Sequence, residues 1–207
     1  MPQDPRNRAL SRGRFALDQR FRFVFSNVYE LPFFRTARGF KRAALGGWSI
    51  NGIVQFTSGF PMSIGQSGDS QNIGTAIAPR PNIAPGAKVD RVLEGRTIQH
   101  WFNTAAFVRS KCDGCPGDGT FTGPLGYGNA GVGLVDSPAQ KTWDFAVFKE
   151  FRIQESKRLQ FRWEAFNFFN TPQFAGPSVT LGDATFGRIT ATASNNREMQ
   201  FALKFTF

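Results

Sequence analysis

Met199-Gln-Phe-Ala-Leu-Lys-Phe-Thr-Phe207 closes the chain with an uninterrupted alternation. Met199, Phe201, Leu203, Phe205 and Phe207 fall on one side of an extended chain. Gln200, Ala202, Lys204 and Thr206 fall on the other, because successive side chains of a strand point to opposite faces. An edge strand in water seldom carries its largest aromatics in that order. A strand with hydrocarbon on one face and water on the other does. The segment predicts β structure at a lipid boundary.

The same period recurs upstream. Over residues 19–31, Phe21, Phe23, Phe25, Asn27, Tyr29 and Leu31 alternate with Arg22, Val24, Ser26, Val28 and Glu30, and Pro32 ends the run. Over 48–64, Trp48, Ile50, Gly52, Val54 and Phe56 oppose Ser49, Asn51, Ile53, Gln55 and Thr57. Residues 142–153 and 159–169 repeat the pattern across the short turn Gln154–Arg158. With 198–207 this makes five strands, of the roughly 9–11 residues or more that cross a tilted bilayer.

Charge parity agrees. A lipid-facing Arg or Lys at mid-membrane costs about 2–4 kcal/mol, and Arg22, Arg162 and Lys204 all lie on the polar side with Glu30, Asp144 and Glu164. Lys149 shares the aromatic side of its strand, near an end from which it can snorkel to water. No run approaches the roughly 18 apolar residues of a spanning helix. The expected fold is all-β: about five antiparallel transmembrane strands of an incomplete barrel, with long loops at one end.

The organisation expected is a disordered lead-in over 1–17 and a barrel segment over 18–207. The opening Met1-Pro-Gln-Asp-Pro-Arg6 lacks the basic-then-apolar layout of a secretory signal, so the chain is expected to begin partway through a larger protein. Residues 65–140, rich in Gly, Pro, Asn and Ser, read as one large loop, too long for a compact soluble domain. Within it a short helix is expected over Val89–Phe102, with Val92, Leu93 and Ile98 on its apolar side. A second loop spans 170–197, with a strand extension at Phe186–Thr192. The turn 154–158 and the connection 33–47 share the opposite end.

Phe 24 against Tyr 2 is a bias that membrane-facing strands accommodate as aromatic girdles. The net charge of +10 invites a nucleic-acid reading, but the cations are dispersed. Arg6, Arg8, Arg12 and Arg14 lie in the lead-in, Arg35, Arg38, Lys41 and Arg42 in a connection, and others alternate along strands. No single basic patch forms, so no nucleic-acid partner is expected. Attraction to anionic lipid or lipopolysaccharide accounts for the sign.

Gly126-Tyr-Gly128-Asn-Ala-Gly131 has dinucleotide-loop spacing, but that motif needs a strand before it and a helix after it. Neither Thr120–Leu125 nor Val132–Pro138 supplies one. Cys112-Asp-Gly-Cys115 has redox or half-zinc spacing, without the further ligands or the βαβ setting that either chemistry requires. A local disulfide outside the cell is the expectation, with an incidental thiol pair as the alternative. Asp113 and Asp118 lack the ligand ladder of a calcium loop. His100 has no nucleophile partner. With Trp101 and Phe102 it forms either a packed aromatic cluster or a sugar- or peptide-contacting site. No catalytic residue, metal site or cofactor is expected.

The closing segment resembles the terminal strand of bacterial outer-membrane β-barrels, in which Phe201, Leu203, Phe205 and Phe207 stand as the barrel-assembly signal. Several strings resemble the C-terminal barrel of TonB-dependent outer-membrane receptors, of the Oar-like subgroup with a carboxypeptidase-regulatory-like domain. They include Asp18-Gln-Arg-Phe-Arg-Phe-Val-Phe-Ser26, Gly47-Trp-Ser-Ile-Asn-Gly-Ile-Val54, Trp101-Phe-Asn-Thr-Ala-Ala-Phe107, Trp143-Asp-Phe-Ala-Val-Phe-Lys149 and Phe161-Arg-Trp-Glu-Ala-Phe-Asn-Phe-Phe-Asn170. The resemblance implies a larger barrel with an internal plug, energised through TonB by N-terminal parts that this chain lacks. It also implies the barrel-assembly machinery as partner and the outer membrane of a Gram-negative bacterium as location.

Three functions follow as expectations. The first is a C-terminal segment of a TonB-dependent transporter, supplying wall and ligand-facing outer loops for uptake. The second is a small self-assembling outer-membrane β-protein with an adhesive loop. The third, a soluble β-sandwich that binds a polymer, conflicts with the exposed aromatic faces.

Overall fold

The computed structural model describes residues 4, 7–34, 36–68, 79–90, 93–110, 126–154 and 156–207. In chain order its strands are β1 (Arg22–Glu30), β2 (Trp48–Thr57), β3 (Pro61–Met62), β4 (Gly65–Gln66), β5 (Asn82–Ile83), β6 (Phe107–Val108), β7 (Val135–Asp136), β8 (Gln140–Arg152), β9 (Arg158–Phe166), β10 (Thr180–Leu181) and β11 (Glu198–Thr206). A short helix, α1, covers Gly39–Leu45, and 3-10 turns occupy Arg8–Ser11 and Thr104–Ala106. The chain divides into a sheet unit (Phe21–Ser58, Ala139–Gln173 and Ser194–Phe207) and a loop unit (Met1–Arg20, Gly59–Pro138 and Phe174–Ala193).

The sheet unit is a five-stranded sheet in the order β1-β2-β8-β9-β11. Every neighbour is antiparallel. The registers join the apolar side of each strand into one face: Phe25 lies opposite Val54 and Val54 opposite Trp143, while Val147 lies opposite Trp163 and Trp163 opposite Phe201. A one-residue slip in any pair would turn a strand's aromatics to the other face, so the alternation excludes every odd-numbered slip.

The sheet is sheared. From Glu30 at the end of β1, paired positions run through Ser49, Phe148 and Arg162 to Ala202, and β11 continues four residues further, Leu203–Thr206. Four residues over four strand steps, at about 3.3 Å per residue and 4.8 Å between strands, give a strand tilt of about 35°. That tilt lies in the range of closed barrels.

Local chemistry sets the strand ends. β9 stops at Phe166, short of the expected 169, because Asn167 and Asn170 adopt φ of 49° and 52°. Asparagine visits this left-handed region more readily than bulkier residues. The Asn167 side chain then closes the turn, its Oδ1 accepting from the Thr171 N–H at 3.0 Å. β8 outruns its β9 partner, whose pairing begins at Phe145 with Ala165. At Lys141 the Gln173 amide substitutes for that missing neighbour, accepting from the backbone N–H at 2.6 Å and donating to the carbonyl at 2.5 Å. β2 ends at Thr57 rather than at the expected Ile64. Pro61–Met62 instead pairs with β7, and Ile64 is fully buried in the loop unit.

The loop unit is not the structureless connection expected over 65–140. Ile64, Trp101, Phe102, Ala106, Phe107, Ala130, Val135 and Ile189 form a buried core. Within it the Phe102, Phe107 and Phe186 rings meet edge to face, with centroids 5.2 to 6.2 Å apart. Edge-to-face pairs of this kind add about 0.5–1.5 kcal/mol each to the burial. The core is built from single positions joined by two-residue ladders, which leave no period to read.

The helix expected over Val89–Phe102 does not form among its described residues. Thr97 and His100 make an antiparallel bridge there, and residues 93–96 are turn or irregular backbone. At 186–192 isolated bridges, Ser178 with Phe186 and Phe174 with Thr192, replace the expected strand extension.

The disordered lead-in expected over 1–17 is also corrected for residues 7–17. Gly13 bridges Val132, Arg14 pairs with Asp136 and with Asp18 at 3.0 Å, and Arg80 donates to the Leu10 carbonyl at 2.7 Å. Burial works against the charge on Arg14. The bonds and charges of its two carboxylates outweigh that and raise its pKa. Around Arg80, burial alone lowers the pKa.

Candidate functional site

The feature of the sheet unit that asks for an explanation is its apolar face. Phe23, Phe25 and Tyr29 of β1 and Phe201, Leu203 and Phe205 of β11 are each half or more exposed. The buried apolar core belongs to the loop unit, and among the described residues of the five long strands only Ala165 is a buried hydrophobic side chain. A soluble sheet must cover such a face with a second layer. The sheet unit contains none among its own described residues.

The aromatic side chains of that face are organised. At the end where β1 begins and β2 ends, rings touch in sequence from Phe23 to Phe56, Trp143 and Phe169, with centroids 6.2, 5.8 and 5.5 Å apart. This row runs across the strand ends, as an interfacial girdle does. Lys149, on the apolar face, is buried rather than snorkelling. Its Nζ donates to the Gly46 carbonyl and lies 5.6 Å from the Trp48 ring centre and 4.9 Å from that of Phe151. Asn27 interrupts the face but stands beside Gly52, whose missing side chain leaves the space that the amide fills.

The reverse face carries a hydrogen-bonded polar network. Arg162 pairs with Glu164 and lies over the Phe148 ring at 4.9 Å. Gln200 donates to the other Glu164 oxygen at 2.5 Å, and Asp144 accepts from the Asn167 N–H at 2.9 Å. Acids and bases alternate here, as on a surface turned to water.

The sheet has two open edges. Among the described residues β1 pairs only with β2 and β11 only with β9, which leaves one side of each strand without a ladder there. Such edges are templates for further strands.

The residues singled out in sequence divide between the two units. Phe201, Leu203 and Phe205 share the apolar face of β11, and Phe207 lies just past its end, 89% exposed. Trp101 and Phe102 are buried in the loop-unit core, where the Trp101 indole N–H donates to the Asp136 carbonyl at 2.7 Å and the Arg96 guanidinium lies 4.1 Å from its ring centre. Both are packed side chains of that core, and of the three loop residues His100 alone is exposed. Cys112 and Cys115 lie outside the described residues, as do Asp113 and Asp118. The glycine string at 126–131 has a packing reason: a side chain on Gly128 would overlap the Arg80 carbonyl oxygen. The residues sequence reasoning missed are Gln66, Ser110 and Arg80, a buried network in which Gln66 bonds both Ser110 backbone groups at 2.9 and 3.0 Å. No sequence pattern marks it, because its members lie far apart in the chain.

A single-layer antiparallel sheet with a tilt of about 35°, one aromatic face and one charged face defines a barrel-wall protein. Comparison with known families agrees: residues 1–200 match the outer membrane beta barrel domain, and the chain belongs to that family. It is a bacterial outer-membrane protein, of a kind that is typically non-enzymatic. No curated protein and no solved structure matches it.

Proposed function

We propose that this chain forms part of the wall and ligand-facing outer loops of an energised outer-membrane transporter of the TonB-dependent kind, with the substrate unassigned. The observation that carries the reading is the uncovered apolar face between two open edges. Lipid covers the face, further strands continue both edges, and the charged reverse face lines the lumen. The resemblance of the strand motifs to TonB-dependent receptors supplies the transporter class.

The orientation follows from connection length. The turn at 153–157 and the connection containing α1 join strands at one end. The segments 58–139 and 167–197 join them at the other. Short turns face the periplasm and long loops the exterior in such barrels, which makes the loop unit extracellular. His100 is its exposed candidate for ligand contact. Phe201, Leu203, Phe205 and Phe207 address the assembly machinery, and TonB acts through parts outside this sequence.

The open edges also admit a second reading, in which copies of the chain close a barrel together. Immunoblotting of fractionated native cells separates the two. The transporter reading expects an outer-membrane band several times the 23.0 kDa of this chain. A 23.0 kDa outer-membrane band that runs as a larger species when unheated establishes self-assembly instead.

A further inference from the structure

We infer that α1 and the basic segment around it form a binding surface for anionic phospholipid at the turn end of the sheet. The inference rests on the membrane reading above and adds a ligand to it.

The composition of the segment is one-sided. Leu31–Gly47 contains Arg35, Arg38, Lys41 and Arg42 and no acidic residue. Its helix has seven residues, buries none of them, and lacks a side-chain cap at its N-terminus. Helices shorter than about 12–15 residues are marginal in water and owe their stability to packing. α1 has little protein to pack on, so its surroundings must supply the remainder.

What holds it is its C-terminal end. The Trp48 indole donates to the Ala44 carbonyl at 3.2 Å, and the Lys149 ammonium donates to the Gly46 carbonyl. An ammonium at that end also complements the helix dipole. Both donors belong to the apolar face, so they fasten α1 where that face ends. The helix then offers solvent a mixed surface: Phe40 is 86% and Leu45 49% exposed, with exposed Phe33 and Phe34 before them and exposed Arg38, Lys41 and Arg42 alongside.

Apolar side chains among cations, continuous with a lipid-facing surface, match a membrane interface whose headgroups are negative. The cleft of about 1050 Å³ beside the helix is walled largely by the charged reverse face, through Glu30, Phe148, Glu150, Arg152, Arg158 and Gln160, and is not part of this surface. The exposed positive charge of the surface belongs to the α1 segment itself, and the phosphate of a lipid headgroup is the ligand that it and the neighbouring Phe33, Phe34 and Phe40 rings fit together.

The test uses the full chain with both cysteines replaced by serine, a Phe40→Cys substitution and a fluorophore at that cysteine. The protein is reconstituted in phosphatidylcholine vesicles containing an equal mole fraction of acyl-chain nitroxide phosphatidylglycerol or nitroxide phosphatidylcholine. A second preparation carries the fluorophore at Leu203→Cys. The fluorophore at 40 should be quenched more by phosphatidylglycerol, reflecting a local enrichment of about fivefold for each cation, while that at 203 should be quenched equally by both. The triple variant Arg38→Gln, Lys41→Gln, Arg42→Gln should lose the excess and keep the quenching by phosphatidylcholine. Equal quenching at 40, or an excess that survives the triple variant, overturns the inference alone. No quenching at 203 by either lipid overturns the membrane reading beneath it.

Discussion

Val147→Arg should prevent the protein from accumulating in the outer membrane, whereas Ala146→Arg should leave accumulation nearly unchanged. The two residues are adjacent on β8, the third of five strands in the sheet. Val147 lies between Ile50 and Trp163 on the apolar face, and Ala146 between Asn51 and Glu164 on the charged face. A lipid-facing arginine at mid-membrane costs about 2–4 kcal/mol, a shift of roughly 30- to 1000-fold in the folding equilibrium. At position 146 the same side chain enters water beside a carboxylate. Heat-modifiable migration of the membrane fraction reads the outcome. Equal loss in both variants would mean that the two faces share one environment.

The second large effect is confined to the loop unit. Phe102 is 2% exposed, and its ring meets Phe107 and Phe186 edge to face. Truncation of a buried phenylalanine to alanine costs about 3–5 kcal/mol, a large part of what a small unit has available. Phe102→Ala should make residues within 59–138 readily cleaved by protease added to intact cells. The sheet strands should stay protected and the protein should stay in the membrane, because no residue of the five long strands belongs to the buried core that Phe102 fills. Unchanged protease resistance would show that the aromatic cluster does not hold the loop unit together.

The sheet was legible in sequence for a physical reason. A strand with one exposed apolar face and one polar face records that division at every second residue, so Phe201, Leu203 and Phe205 announce both the secondary structure and its exposed apolar face. Lys149 was the one cation placed on the aromatic face over 142–153, and its pairing with Trp48 keeps it there. Its burial could not be anticipated. It depends on the Gly46 carbonyl arriving from a connection that carries no period.

The loop unit was illegible for the same reason in reverse. Ile64, Trp101, Val135 and Ile189 come from four separate stretches and meet only in three dimensions. Two-residue strands such as β3 and β7 are too short for alternation to show. Glycine and proline content pointed to irregular backbone, which is correct, but irregular backbone packs a core when a few aromatic residues are spaced to meet. Arg14, counted in sequence only as scattered positive charge, pairs with Asp136, and Arg80 holds the Leu10 carbonyl, so the lead-in is tied into that unit.

The central claim is that one face of the sheet meets lipid and the other meets water. Single cysteines at Val147, Phe161 and Leu203, and at Ala146, Gln160 and Ala202, test it directly in a background with Cys112 and Cys115 replaced by serine. The readout is reaction with a small water-soluble maleimide in native outer membranes. The account predicts labelling at 146, 160 and 202, and protection at 147, 161 and 203 that disappears when detergent dissolves the membrane. Equal labelling of both sets before detergent is added would contradict it.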